Sequence, residues 1–417
     1  MLVYKFGGAS VNSSAAVRNV AEIVQRKVDT PLIVVISAMG KTTNALEQLV
    51  PGVGTSTERQ SSLASLRDYH YSMALDLLHD PSLPLFSRLD EIFAKLEFAI
   101  SASPSTYNAD YDRVVSYGEL LSTTIVSCYL TSISIRNKWL DARQLLRTNN
   151  AHREGIVDWN VTMKQVSKCI SCDEPVVYIT QGFIAGADDG TTTTLGREGS
   201  DYSAAVLAYC TNASEVVIWK DVPGFLNADP KYFPDTVKIN RMPYNEAIEL
   251  SYFGASVIHP KTVKPLQNKN IPLQVRSFLN PEAKGSLIGP FDNLEPQTPL
   301  YIVRYNQVLI SITPRDFSFI TEDNLQRIFG CFAAVGMRVN CMQNSALSFS
   351  VCVDYNEILL ADLTRMLQAS YQVRYNKDLQ LITIRYYTKA IIDDMVAGRL
   401  VLLQQCSRST AQLLVQG

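Results

Sequence analysis

LVYKFGGASVNSSAAVRNVAEIVQRKVDTPLIVVIS, residues 2–37, holds the pattern that decides the fold. Leu2–Phe6 is apolar on both sides of Lys5 and reads as a strand, closed by the glycine pair Gly7–Gly8. Asn12, Ser13 and Ser14 are residues that cap helices, and the apolar spacing after them predicts a helix from about Ser14 to Lys27. Leu32–Ser37 is a continuous β-branched run of the kind buried on both faces of a parallel sheet. Strand, helix and strand in this order predict a doubly wound α/β domain.

Outward from this unit, residues 51–61 are rich in Gly, Ser and Thr and read as a loop. Helical patterns cover about 61–135, with a break near Pro104, and strand-like runs follow at 138–141, 175–180 and 215–219. QGFIAGADDGTTTTLGREGSD, 181–201, predicts a hairpin and then a helix from Asp201. A helix at 244–252, closed by Gly254 as its C-cap, and a strand at 272–277 come next, and Asn280–Pro290 has linker composition. The elements then shorten: a strand at 301–313, a helix at 322–335, strands at 337–343 and 346–354, and a helix at 356–369. A strand at 378–387, a helix at 388–397 and strands at 400–405 and 409–415 end the run, the rhythm of two small α+β sandwiches.

A length of 417 residues exceeds one ordinary core and predicts two or three domains. With 38 basic and 40 acidic residues the net charge is −2, which argues against nucleic acid or an anionic membrane as the main partner. No apolar run approaches the ~20 residues that span a bilayer, and the opening MLVYKFGG lacks the pattern of a secretory signal. The eight cysteines include one CxxC, Cys169–Cys172, without a second pair or a histidine at ligand spacing. They read as reduced thiols, and no residue is assigned to a protein-held metal site.

Six constellations bear on chemistry. KFGGAS, Lys5–Ser10, lets backbone approach a ligand and aims N–H groups at an anion, although a purely structural turn explains it equally well. It is not the GxxxxGK[ST] pattern. SAMGKTTN, Ser37–Asn44, follows the second strand, where open α/β sheets bind ligands; a polar turn is the alternative. In SYGE, Ser116–Glu119, the carboxylate lies on an apolar helix and needs a positive partner, either a ligand ammonium or an internal arginine. TTTTLGREGSD, Thr191–Asp201, is the most informative: Arg197 can grip a carboxylate through two parallel hydrogen bonds, and Ser200 and Asp201 read as caps of the next helix. WKDVPGFLNADP, Trp219–Pro230, ends a strand in Lys220–Asp221 and either wraps a base and ribose or is a surface loop. In FGASVIHP, Phe253–Pro260, His259 reads as a buried, hydrogen-bonded residue rather than a catalytic one.

Together, KFGGAS, SYGE, GFI, TTTTLGREGSDYSAA, IWKDVPG with a following DP, and FGASVIHP resemble the ordered motifs of the aspartate kinases, over residues 1 to about 290. The shorter units beyond resemble that family's paired regulatory ACT modules. The resemblance implies an amino acid kinase-type α/β/α sandwich at 1–285, then tandem α+β ACT-like modules at 299–417 with the second shortened. It implies ATP- and Mg²⁺-dependent phosphorylation of the side-chain carboxylate of L-aspartate to 4-phospho-L-aspartate, the first step toward lysine, threonine and methionine. It also implies a homodimer through the ACT-like region, an amino-acid effector and a cytoplasmic location. The alternatives are another amino-acid or carbamate kinase of the same fold, and a catalytically weak amino-acid sensor.

Carried residue by residue, the resemblance assigns Lys5, Gly7, Gly8 and Ser10 to the nucleotide phosphates, with Lys5 stabilising the transferred group and Asp201 orienting Lys5 and helping to place the magnesium-bound phosphate. Ser37, Thr43, Glu119, Arg197 and Ser200 would hold aspartate, Glu119 at the ammonium and Arg197 at the α-carboxylate. Lys220, Asp221, Leu226, Lys231 and Ser256 would line the nucleotide path. Three positions depart from the family pattern: Ala9 stands where KFGGTS has threonine, Glu198 where GRGGSD has glycine, and Ser256 where some members carry lysine. The turn where an effector would bind, Thr313–Asn324, has no glycine and two phenylalanines. No second dinucleotide-binding domain is expected within these residues.

Overall fold

The computed structural model describes residues 1–255, 257–316 and 318–416. It opens with β1 (Leu2–Phe6), α1 (Ser14–Gln25) and β2 (Leu32–Ile36). The Ser13 hydroxyl accepts from Ala16 N at 3.2 Å and starts α1. Every residue of β2 is buried, as a strand covered on both faces requires. The helical stretch resolves into α2 (Thr42–Glu47), α3 (Ser56–Leu78), α4 (Pro84–Ser101) and α5 (Tyr107–Ser132). α3 begins inside the stretch that reads as a loop, because Thr55 and Glu58 form a reciprocal capping box.

Next come β3 (Asn137–Leu140), α6 (Ala142–Leu145), β4 (Arg147–Thr148), α7 (Trp159–Cys169) and β5 (Val177–Gln181). The hairpin of β6 (Ile184–Ala187) and β7 (Thr192–Thr194) precedes α8 (Gly199–Thr211) and β8 (Glu215–Lys220). Beyond two-residue strands at 225–226 and 238–239 lie β9 (Arg241–Pro243), α9 (Tyr244–Phe253), α10 (Pro260–Asn268), β10 (Leu273–Ser277) and β11 (Ser286–Gly289). Gly254, at φ +117, follows the end of α9 as the sequence predicts.

The main sheet has eight strands in the order β9-β11-β10-β8-β1-β2-β5-β3. β1 pairs in parallel with β2 and β8, and the register sets Lys5 beside Val35 and Ile218. The carboxyl ends of these three strands therefore lie side by side, so Lys5, Ser37 and Lys220 leave the sheet along one edge. A smaller sheet joins β4, β6 and β7.

Two local readings are corrected. The linker-like stretch 280–290 contains β11, antiparallel to β10 and parallel to β9. Gly285 is there because a Cβ would meet Val275 O at 2.0 Å, and a glycine demanded by close strand approach has the same composition signature as a linker. The helix expected from Asp201 starts at Gly199, after Glu198 in the left-handed region at φ 53. Ser200 and Asp201 thus occupy its first turn and do not cap it.

Residues 226–237 and 252–255 group with those from 297 onward into a second unit. This unit contains β12 (Leu300–Pro314), α11 (Glu322–Val335), β13 (Val339–Asn344), β14 (Phe349–Asp354) and α12 (Glu357–Leu367). It continues with β15 (Tyr371–Arg385), α13 (Lys389–Val396), β16 (Val401–Cys406) and β17 (Thr410–Gln416). The two sandwiches expected are halves of one six-stranded antiparallel sheet, ordered β13-β14-β12-β15-β17-β16. Register shifts between Arg304 and Leu309 divide it. One half has a core of Ile310, Ile328, Phe332 and Leu363, the other of Ile382, Ile384, Ile392 and Leu413. These are ACT-like modules; among the described residues the first half carries α11 and α12 and the second carries α13. β15 starts at Tyr371 and not near 378, because the exposed polar residues Arg374–Asp378 hide a strand that runs through them. Among the described residues no helix is long and apolar enough to cross a membrane.

Candidate active site

Lys5, near the end of β1, places Nζ 2.7 Å from Asp201 Oδ1, and Lys220, the last residue of β8, places Nζ 3.3 Å from Asp201 Oδ2. Burial alone would raise the Asp201 carboxyl; Lys5 and Lys220 outweigh it and hold the group below its usual value. Lys220 also donates to Val257 O. Two ammonium groups are thus gathered at the start of α8, where the helix N-terminus adds partial positive charge.

Glu119 approaches from α5 and is 2% exposed. Its Oε1 accepts from Ala38 N at 3.2 Å, while the buried Oε2 has no partner among the described residues. Burial pushes its carboxyl up to about 8, against the opposing effects of the Ala38 N–H and Lys5. α5 comes this close to the end of β2 because Gly118 has no side chain: a Cβ there would meet Ala38 Cβ at 2.9 Å. Ser122 Oγ donates to Ser37 O at 2.8 Å and ties the same two elements.

A cavity of about 740 Å³ opens here, within the range of small-molecule sites. Lys5, Ser37, Thr43, Glu119, Arg197, Ser200, Asp201 and Lys220 all line it. Arg197 is exposed and makes no hydrogen bond or ion pair among the described residues. Glu198 lines it as well; burial raises its carboxyl, and its buried Oε2 has no partner among the described residues. The wall has cations at one part and an unmatched carboxylate at another, an arrangement that accepts a ligand carrying both anionic groups and an ammonium.

Gly7, Gly8, Ser10 and Asp221 are outside the lining. Gly8 packs against the Ser37–Asn44 turn, where a Cβ would meet Ala38 O at 2.8 Å and Gly40 O at 2.9 Å. Ser10 is buried, its Oγ without a partner among the described residues, and Asp221 is exposed beyond β8. Leu226 and Lys231 lie in the 226–237 segment and are described with the second unit. Ser256, and Phe317 of the effector turn, fall outside the described residues. His259 is half-buried and accepts from Lys261 N at 3.2 Å, the cap of α10.

Several lining residues carry no signal in the motifs. Tyr111 precedes Glu119 by two helical turns on α5, a spacing that places both on one face, and that periodicity was the available clue. His152 and Arg153 come from a loop with no pattern of its own, while Thr194, on β7, lies inside the Thr191–Asp201 motif without being singled out by it.

The family model described as the amino acid kinase family matches residues 1–277. The lysine-sensitive aspartokinase 3 of Escherichia coli is 31% identical over 92% of this chain and 86% of its own length. The chain belongs to the aspartokinases of the amino acid kinase family.

A bifunctional aspartokinase/homoserine dehydrogenase of Arabidopsis thaliana is 32% identical over 84% of the chain but only 39% of its own length. The chain spans about two fifths of the bifunctional plant relatives it matches. Among solved structures, E. coli aspartokinase III in complex with aspartate and ADP superposes with a TM-score of 0.85 at 27% identity, covering 100% of this chain and 96% of that one. The kinase fold followed by ACT-like modules is thus the aspartokinase architecture.

Proposed function

We propose that this aspartokinase-family chain transfers the γ-phosphoryl group of ATP to the side-chain carboxylate of L-aspartate, forming 4-phospho-L-aspartate. The observation that carries the reading is the one cavity shared by the Lys5–Asp201–Lys220 cluster, Arg197 and Glu119, whose Oε2 has no partner among the described residues. The aspartate and ADP bound by the E. coli structural relative support it.

The chemistry follows from the residue types. Aspartate's side chain, with a reference pKa of about 3.9, is already ionised at neutral pH and needs no general base. The barrier lies in aligning two anions and offsetting their charge. Lys5 and Lys220 face the transferred phosphoryl group, and Asp201 holds both ammonium groups in place before substrate arrives. Glu119 takes the substrate ammonium, which removes the penalty of a buried unpaired carboxylate. Arg197 takes the α-carboxylate, and Ser37, Thr43 and Ser200 complete the amino-acid end. By family resemblance, Gly7, Gly8 and Ser10, outside the cavity lining, are assigned to the phosphate-facing turn, and Asp221, Leu226, Lys231 and Ser256 to the base-and-ribose path.

Mg²⁺ fits as the companion of the nucleotide phosphates, a role that needs only one or two protein carboxylates. Asp201 and Glu198, whose buried Oε2 has no partner among the described residues, are the carboxylates suited to it. When bound, the ion would neutralise phosphate charge.

The same proposal places the catalytic domain at 1–285 and the ACT-like region at 299–417 with a shortened second module, has the ACT-like region form a homodimer, and puts the protein in the cytoplasm. It includes regulation by an amino acid; the lysine sensitivity of the E. coli relative makes lysine the first effector to try. Incubation with ATP, Mg²⁺, aspartate and hydroxylamine should yield aspartyl hydroxamate, and glutamate, N-acetylglutamate or UMP should not replace aspartate. ATP turnover with one of those acceptors instead would overturn the substrate; amino-acid binding without turnover would make the protein a sensor.

A further inference from the structure

We propose that Arg153 is a second carboxylate-binding guanidinium for the amino-acid substrate, held in place by the buried carboxylate of Asp112. The proposal rests on the aspartate reading above and deepens it.

Asp112 is 0% exposed and does not line the cavity, yet three groups on the cavity wall converge on it. Thr194 Oγ1 donates to Oδ1 at 2.6 Å, and Arg153 N donates to Oδ2 at 2.9 Å. His152 Nδ1 lies 3.0 Å from the same Oδ2. A buried carboxylate with three partners is a rigid anchor, since each bond lost would leave charge unsatisfied.

The anchor holds Arg153 where a side chain is seldom found. Its φ is +66, a conformation that residues other than glycine adopt at a cost, and such outliers concentrate at functional sites. Its guanidinium lies 4.3 Å from the ring centroid of Tyr111, which also lines the cavity, and 5.7 Å from that of Tyr107. Stacking orients the guanidinium plane without using its N–H groups. Arg153 is half-buried, and its side chain makes no hydrogen bond or ion pair among the described residues. A partly desolvated fork of free donors facing a cavity selects an anion, and a planar one best.

The position agrees. Gly196, immediately before Arg197, adopts φ +78, and a Cβ there would meet Arg153 O at 3.0 Å. The two arginines therefore border the cavity from adjoining turns. Aspartate brings two carboxylates, and one guanidinium cannot clamp both.

Arg153→Gly separates this role from a structural one, because glycine relieves the backbone while deleting the guanidinium. Calorimetric titration of the full chain with aspartate and, separately, with ADP should show aspartate affinity falling roughly 10- to 100-fold, with ADP affinity unchanged. The melting temperature should be no lower than that of the wild type. Arg153→Lys should remain impaired, and Asp112→Asn should weaken aspartate binding in the same direction. Unchanged aspartate affinity in Arg153→Gly, or an equal loss for ADP, overturns the proposal. Hydroxamate formation is scored independently: a wild type that binds aspartate without phosphorylating it defeats the catalytic reading and leaves the arginine to be judged by binding.

Discussion

Lys5 Nζ and Asp201 Oδ1 lie 2.7 Å apart, on residues 8% and 2% exposed, and Asp201 shares its other oxygen with Lys220. A carboxylate that holds two cations at the mouth of a cavity orients them and also keeps them from repelling each other.

Lys5→Met should therefore lower turnover by roughly 10²- to 10³-fold with the fold intact, the range found when one preorganised donor is removed. Asp201→Ala should do the same and also destabilise the chain by about 3 kcal/mol, because it leaves Lys5 nearly buried and unpaired. Hydroxamate rates and urea denaturation measure the two effects; normal turnover in Lys5→Met would remove the phosphate role.

Glu119 supplies a pH signature. Its carboxyl sits at about 8 in the folded chain against an ordinary 4.5, so between these values the folded state holds a proton that the unfolded state has released. Its stabilising share is full below about pH 4.5, declines as pH rises and is gone above about pH 8. A substrate ammonium favours the ionised form, so aspartate should bind more tightly toward pH 8. Glu119→Gln should flatten the stability slope and bind aspartate weakly at every pH; denaturation midpoints and aspartate KM across about pH 5 to 9 check both.

Glu198 combines a left-handed backbone with a buried carboxylate oxygen that has no partner among the described residues. Glu198→Gly should stabilise the chain by about 1 kcal/mol by relieving φ 53. It should also raise the Mg²⁺ concentration needed for half-maximal rate several-fold. Melting curves and a Mg²⁺ titration at fixed ATP decide; an unchanged Mg²⁺ requirement frees Glu198 of any role with the ion.

Gly182→Ala tests how the start of α8 is seated. Its Cβ would lie 2.4 Å from Ser200 Cβ and 2.8 Å from Ser200 Cα, so the first turn of the helix must move and take Asp201 with it. Stability should fall by about 1–3 kcal/mol, and turnover should fall with it. Adding Ser200→Gly should restore part of the stability.

The βαβ opening was legible because its signals are local: a β-branched run, a serine cap, an apolar stripe on a helix. Glu119 stood out as a carboxylate in an apolar helix, and Arg197 as a cation amid glycines and threonines. β11 was not legible, since Gly285 serves strand packing that only its neighbour β10 reveals. β15 was hidden by its polar middle.

Local periodicity and turn chemistry thus determined by themselves the βαβ opening, the parallel class of the first sheet and the residues suited to phosphate and carboxylate. Which of them meet was decided by tertiary structure. Parallel pairing of β1 with β2 and β8 brings chain-distant ends to one edge, and only that pairing turns Asp201 from a plausible helix cap into the counter-ion of Lys5 and Lys220. Arg153 is the extreme case: nothing near it in sequence marks it, and a buried carboxylate on another element holds it at the cavity.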